Sequence, residues 1–326
     1  MILELILIII GFTLLIKGAD LLVDGGSKIA KKFHIPEIVI GLTIVSIGTS
    51  MPELVVSLTS AIEGHPDMAI GNILGSNLTN LFLILGVCAT IKELTFKRET
   101  RLFENPIIMI ATILLLFFAN NSYAGQSNII LRREGVIFLI GSILFIIYNI
   151  VMSKKGLKSE GYSLIKLRCE QEKNSYTIQS TIYIILGIIG LKFGGDLIID
   201  NSVSLATKLG MSEKLISLTI LALATSLPEL ITSITASIKG ETDMAIGNVL
   251  GSQIFNILLI IGISATITPI TYSLEYNKDL ILLVIGTILL AIFPYVGKKN
   301  KMTRLKGIIY LIIYGGYIGN LITSNI

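Results

Sequence analysis

Glu53 and Glu229 sit where a carboxylate is hardest to keep, each within a long apolar stretch, residues 36–62 and 212–238. An ionised carboxylate surrounded by hydrocarbon costs several kcal/mol unless something offsets it, so such a group is read first as functional. A purely structural ion pair would need a Lys or Arg at like depth. The two motif-bearing stretches supply none, and Lys17 and Lys192 belong to other stretches. Pro52 and Pro228 immediately precede the two glutamates. A proline inside a helix removes a backbone hydrogen bond and clashes with the preceding turn, which releases carbonyls near Ser46–Thr49 and Ala222–Thr225. Broken backbone survives at membrane depth only where protein or a water-lined cavity satisfies it. Carbonyl, hydroxyl and carboxylate oxygens together form the donor set that a hard cation such as Ca2+ takes, at a coordination number of about 6–8.

Helical spacing extends the pattern. Ser46, Thr49 or Ser50, Glu53 and Ser57 recur every three or four residues and form one polar stripe, matched by Ala222, Thr225 or Ser226, Glu229 and Ser233. Asn72, Ser76 and Asn80 form another, matched by Asn248, Ser252 and Asn256. Isolated Ser and Thr commonly act as interhelical glue in membranes, but four matched stripes point to the lining of one cavity. Gly71, Gly75, Gly247 and Gly251 interleave with these positions at the spacing of close helix packing, and they are not read as ligands.

The matching arises because the sequence contains itself twice. Ile47–Leu54 recurs as Leu223–Leu230 and Asp67–Ser76 as Asp243–Ser252, both at an offset of 176, which also pairs Gly18 and Asp20 with Gly194 and Asp196. The chain is 52% hydrophobic and 15% charged over 326 residues, too apolar to coat a soluble globule. A crossing helix needs about 20 apolar residues. Ten such segments fit, near 2–24, 36–62, 66–90, 104–120, 133–152, 177–200, 212–238, 242–267, 277–294 and 305–322. A closed barrel would require alternation that runs such as Leu280–Phe293 lack. The expected fold is an all-α polytopic membrane protein of ten transmembrane helices. Residues 1–152 form a first five-helix repeat with its motif at 41–80, and 177–326 a second with its motif at 217–256. A charged linker, 153–176, joins them and is too short for a regulatory domain. Five spans per half invert the second half relative to the first, an architecture of secondary transporters with the site near the midplane.

With the N-terminus outside, inside loops hold 19 basic residues and outside loops 5, so both termini are expected outside, in the cell membrane. These basic loops are topology signals rather than nucleic-acid patches. The first span is expected to stay in the mature protein, since Met1–Ile10 carries Glu4 and no basic run. Cys88 and Cys169 suggest neither a disulfide nor a metal cluster, and His34 and His65 are read as solvated loop residues. No phosphate-cradling Gly-Lys-Ser/Thr loop and no His-Glu-x-x-His is present, so ATP-driven pumping and zinc proteolysis lack their residues. The reading is of a transporter rather than an enzyme, with no cofactor, driven by a second ion gradient.

Gly48-Thr49-Ser50-Met51-Pro52-Glu53 with Gly71-Asn72, Gly75-Ser76 and Asn80, and their second copies, resemble the alpha repeats of the cation/calcium exchanger family, and the similarity covers the whole chain. The resemblance implies an alternating-access antiporter that exchanges Ca2+ for Na+, with Glu53 and Glu229 ligating both ions. It implies backbone carbonyl ligands from Thr49 and Thr225, and flanking Na+ sites formed with Ser50, Ser76, Ser226 and Ser252. Where many family members carry an aspartate in the second repeat, this chain has Asn256, matching Asn80. Two central carboxylates neutralise one Ca2+, so potassium co-transport is not expected. The rival readings are a proton-coupled divalent-cation antiporter and, less favoured, a gated cation channel; the inverted duplication argues against the channel.

Overall fold

The computed structural model describes residues 2–33, 35–121, 128–159, 175–208, 222–297 and 299–324. His34, Cys169, most of the expected linker and the start of the segment expected at 212–238 lie outside the described residues. In chain order the helices are α1 Ile2–Phe33, α2 Glu37–Ile40, α3 Ser46–Thr49, α4 Met51–Ile62, α5 Pro66–Leu78, α6 Leu85–Ile91, α7 Asn105–Ala119, α8 Arg132–Ser159, α9 Ser175–Lys208, α10 Ala222–Thr225, α11 Leu227–Lys239, α12 Thr242–Phe255, α13 Gly262–Ile267, α14 Asn277–Ile292 and α15 Arg304–Ser324. Among the described residues, seven helical segments are long and apolar enough to cross a membrane, or eight if the bent pair Glu37–Thr49 and Met51–Ile62 is one span. The chain is therefore a multi-pass membrane protein. Four two-residue strands add to the all-α expectation: Leu94–Thr95 pairs with Lys301–Met302, and Ile129–Ile130 with Ile270–Thr271. Each pairing ties a loop of the first half to a loop of the second, satisfying backbone groups where the helices end.

Two helical segments form the centre. Met68–Ile91 and Thr242–Ile267 bury 78% and 89% of their most apolar windows, whereas α1, α8 and the window in α9 bury only 28–33%. Ile2, Ile9, Ile16, Ile143, Leu144, Ile178 and Ile185 face outward on those peripheral helices, an apolar belt of the kind lipid covers. The central segments carry both asparagine-serine stripes. Each also contains a π-helical stretch, Thr79–Ile84 and Asn256–Ile261, which places Asn80 and Asn256 at the widened turns.

Glycines permit two close helix crossings. A Cβ on Gly247 would lie 2.5 Å from the Ile38 carbonyl, and one on Gly251 2.5 Å from Ser46 Oγ, so α12 can cross α2 and α3 only without side chains there. Helices α1 and α9 pack antiparallel through Gly11 against Gly194 and Gly18 against Gly187 and Gly190. The 176-residue offset maps Gly11 onto Gly187 and Gly18 onto Gly194, so the two contacts exchange with each other.

Ion pairs close one face of the bundle. Lys239, the last residue of α11, reaches Asp20 at 3.0 Å and Asp24 at 2.9 Å on α1, and Lys31 reaches Glu241 at 2.9 Å. Ser27 Oγ donates to Glu241 at 2.9 Å, and Lys97 pairs with Asp243.

Candidate functional site

The proline breaks act as the sequence suggests, with a sharper boundary. The span bends by 49° between α3 and α4 at Ser50. Ser50 N–H closes the first half on the Ser46 carbonyl at 2.9 Å, and regular bonding resumes with Leu54 N–H on the Ser50 carbonyl at 3.1 Å. Leu230 N–H on the Ser226 carbonyl at 3.0 Å marks the same restart in the second half. Pro52 and Pro228 have no N–H to give the carbonyls of Gly48 and Ala224. The Ser46 carbonyl already accepts from Ser50, so the break centres a little later than Ser46.

Glu53 and Glu229 begin the helices that follow these breaks, and both are fully buried. Each carboxylate is met by a serine from its own half and one from the other. Ser50 Oγ donates to Glu229 Oε1 at 2.7 Å, and Ser252 Oγ lies 3.5 Å from the same oxygen and 2.9 Å from Ser50 Oγ. Reciprocally, Ser226 Oγ and Ser76 Oγ lie 3.4 and 3.5 Å from Glu53 Oε1. Among the described residues neither carboxylate takes part in an ion pair: Lys192 pairs instead with Asp196 at 2.9 Å, and Lys17 is exposed. Glu53 Oε2 and Glu229 Oε2 are buried without a protein partner, as are both amide atoms of Asn80 and of Asn256. Such orphaned oxygens are costly, each about 1–3 kcal/mol and more when charged, unless an ion or water meets them.

Not every expected residue plays the same part. Thr49, Thr225, Ser50, Ser226, Ser76 and Ser252 are all buried around the glutamates. Ser46 is buried but turned away: its hydroxyl donates to the Thr43 carbonyl at 3.3 Å and packs against Gly251. Ala222 opens α10, and its side-chain surroundings lie outside the described residues. The stripe Asn72, Ser76, Asn80 is not uniform. Asn72 and Asn248 are hydrogen-bonded on both sides of the amide, whereas Asn80 and Asn256 are not. Helical spacing alone does not flag Asn77 and Gln253, which are equally buried with both amide atoms unpartnered. The signal was the 176-residue offset, which pairs them, although their different types hide the match. Cys88 is buried and free, and His65 is exposed. Among the described residues no three of His, Cys, Asp and Glu gather as a metal cluster.

A sequence profile described as sodium/calcium exchanger protein matches residues 3–151 and 179–323. A putative antiporter, CaxA, of Alkalimonas amylolytica is 36% identical over 320 residues, 97% of this chain and 98% of that protein. The sodium/calcium exchanger MaX1 of Methanosarcina acetivorans is 28% identical over 342 residues, covering 96% and 97% of the two chains. Among solved structures, the sodium-calcium exchanger NCX_Mj soaked with 2.5 mM Na+ and 0.1 mM Ca2+ superposes with a TM-score of 0.81 at 31% identity, over 98% of this chain and 99% of that one. The profile spans both halves of the sequence, including both glutamate motifs, and the chain therefore belongs to the sodium/calcium exchanger family.

Proposed function

We propose that this protein is a secondary antiporter that exchanges Ca2+ for Na+ by alternating access at a single site between Glu53 and Glu229. The observation that carries the reading is the reciprocal crossing of ligands: Ser50 of the first half bonds Glu229, and Ser226 of the second approaches Glu53. Two buried carboxylates supply two negative charges, which balance one Ca2+ in a setting that would otherwise strongly disfavour either charge. Ca2+ and Na+ then compete for the same pair, so each crossing carries one kind of ion, and exchange follows from that exclusivity. Thr49, Thr225, Ser50, Ser226, Ser76, Ser252, Asn80 and Asn256 complete the oxygen shell. Asn256 contributes no charge, so Na+ carried beyond the first two ions lacks compensation and K+ is not co-transported. The names of MaX1 and NCX_Mj as sodium/calcium exchangers support the choice of ions.

Ten spans in two inverted five-helix repeats fit the antiparallel α1–α9 pair and the loop strands joining the halves. With the basic loops inside, both termini face outside and the Lys239 ion pairs lie at the cytoplasmic face. The deciding experiment is radiolabelled Ca2+ uptake into proteoliposomes loaded with Na+. Uptake that requires the outward Na+ gradient supports the reading; uptake driven only by a pH gradient moves the protein to the proton-coupled class, and non-saturating flux without a counter-ion identifies a channel.

A further inference from the structure

Six amide side chains are buried on the central segments: Asn72, Asn77, Asn80, Asn248, Gln253 and Asn256. Four have both polar atoms unpartnered, and two do not. Asn72 Nδ2 donates to Ser57 Oγ at 2.9 Å and approaches the Glu53 carbonyl at 3.4 Å. A carbonyl can only accept, so this contact fixes which end of the amide is nitrogen. The Asn72 oxygen is then turned to Thr225 Oγ1 of the other half, which donates to it at 3.2 Å. Asn248 repeats every contact: Ser233 Oγ at 2.8 Å, the Glu229 carbonyl at 3.4 Å, and Thr49 Oγ1 donating to its oxygen at 3.1 Å.

We infer that Asn72 and Asn248 are positioning residues for the ion site, each clamping the glutamate-bearing helix of its own half to the threonine-bearing turn of the other. Glu53 with Thr225, and Glu229 with Thr49, are thereby held as two crossed pairs. The clamp acts where the backbone is least able to hold itself, because each proline removes the helical bond that would span Ser50 or Ser226. It also fixes serine placement: Thr49 adjoins Ser50, which bonds Glu229, and Thr225 adjoins Ser226, which approaches Glu53. Neither asparagine touches the ion. Thr49 also has the Ser46 carbonyl within 3.3 Å of its hydroxyl, so its side of the clamp shares one proton between two acceptors.

The ion readout of the test rests on the antiport reading, and the melting readout does not. Double-mutant cycles on the purified full-length protein use Asn72→Ala, Thr225→Val and Thr49→Val, read by equilibrium binding of radiolabelled Ca2+ and by thermal melting in ion-free detergent. Asn72→Ala and Thr225→Val are each expected to weaken Ca2+ binding about tenfold, and their double mutant to be no weaker than the worse single. Asn72→Ala with Thr49→Val, which belong to different clamps, is expected to multiply to about a hundredfold. Melting shifts should show the same pairing. Asn72→Ser replaces the alanine variant if that fails to fold, with the same expectation. Losses that multiply for Asn72 and Thr225 overturn the inference. So does a lowered melting temperature with Ca2+ affinity unchanged, which marks a merely structural amide. If the wild-type protein binds no Ca2+, the antiport reading fails while coupled melting of Asn72 and Thr225 still upholds the clamp, and additive melting refutes it.

Discussion

Glu229→Gln keeps the shape of the side chain and removes its charge, and it is the sharpest perturbation of the proposed site. Glu229 is fully buried, and its Oε1 takes a 2.7 Å hydrogen bond from Ser50 that a Gln oxygen can also accept. The local fold should therefore survive. What is lost is half of the charge facing a buried dication. Removing one partner of a buried charge pair costs about 3–5 kcal/mol. At 1.4 kcal/mol per decade, that weakens Ca2+ roughly a hundredfold to several thousandfold. The same loss is visible without transport, because bound Ca2+ stabilises the folded state by linkage. At a Ca2+ concentration of about 100 times the wild-type dissociation constant the gain is about 2.7 kcal/mol, and a hundredfold weaker variant retains only about 0.4 kcal/mol of it. Thermal melting with and without Ca2+, alongside uptake into Na+-loaded proteoliposomes, reads both quantities. The expected result is an ion-free melting temperature equal to or above wild type, since an uncompensated buried charge has gone, with the Ca2+ stabilisation cut to about 0.4 kcal/mol or less and the uptake abolished. Ca2+ affinity within threefold of wild type in a folded Glu229→Gln protein would refute the reasoning, and Glu53→Gln should behave alike.

Three further outcomes are expected. Gly247→Ala places a Cβ 2.5 Å from the Ile38 carbonyl, a backbone atom that cannot move aside, so the yield of monodisperse protein on size exclusion should collapse, whereas Gly315→Ala, with nothing within 4 Å, should be silent. Lys239→Glu replaces the lysine that holds Asp20 and Asp24 with the residue type of its repeat counterpart, Glu63. Exposed pairs of this kind are worth about 0.2–1 kcal/mol each, so the variant should raise labelling of a cysteine placed under that face several-fold, and high salt should do the same to wild type. Asn256→Asp adds a third carboxylate beside the proposed site, and reconstituted exchange should then carry more positive charge with Na+ per Ca2+, read as a larger transport current; an unchanged current would show that Asn256 does not face the ions.

The sequence alone reached the class of molecule, the duplication and the two glutamates, because each rests on short-range chemistry. Apolar length reports a membrane span, a constant offset reports a repeat, and a proline beside a carboxylate in such a span reports a broken helix with an unusual charge. The Gly247 and Gly251 spacing was likewise enough to expect close packing, since only a missing side chain permits it. Other features depended on which residues meet across the two halves. Helical periodicity placed Asn72 and Asn80 on one stripe, yet the fold spends the amide of Asn72 on Thr225 and Glu53 and leaves that of Asn80 without a protein partner. Ser46 shared a stripe with Glu53, but the crossing of α12 at Gly251 turns its hydroxyl back onto Thr43. The burial of Asn77 and Gln253 depends on the same packing, and the pairing of Ser50 with Glu229 and the ion pairs of Lys239 join residues 179 to 219 positions apart. Periodicity along one helix shows which residues share a face; only the packing of the two repeats against each other decides what that face meets.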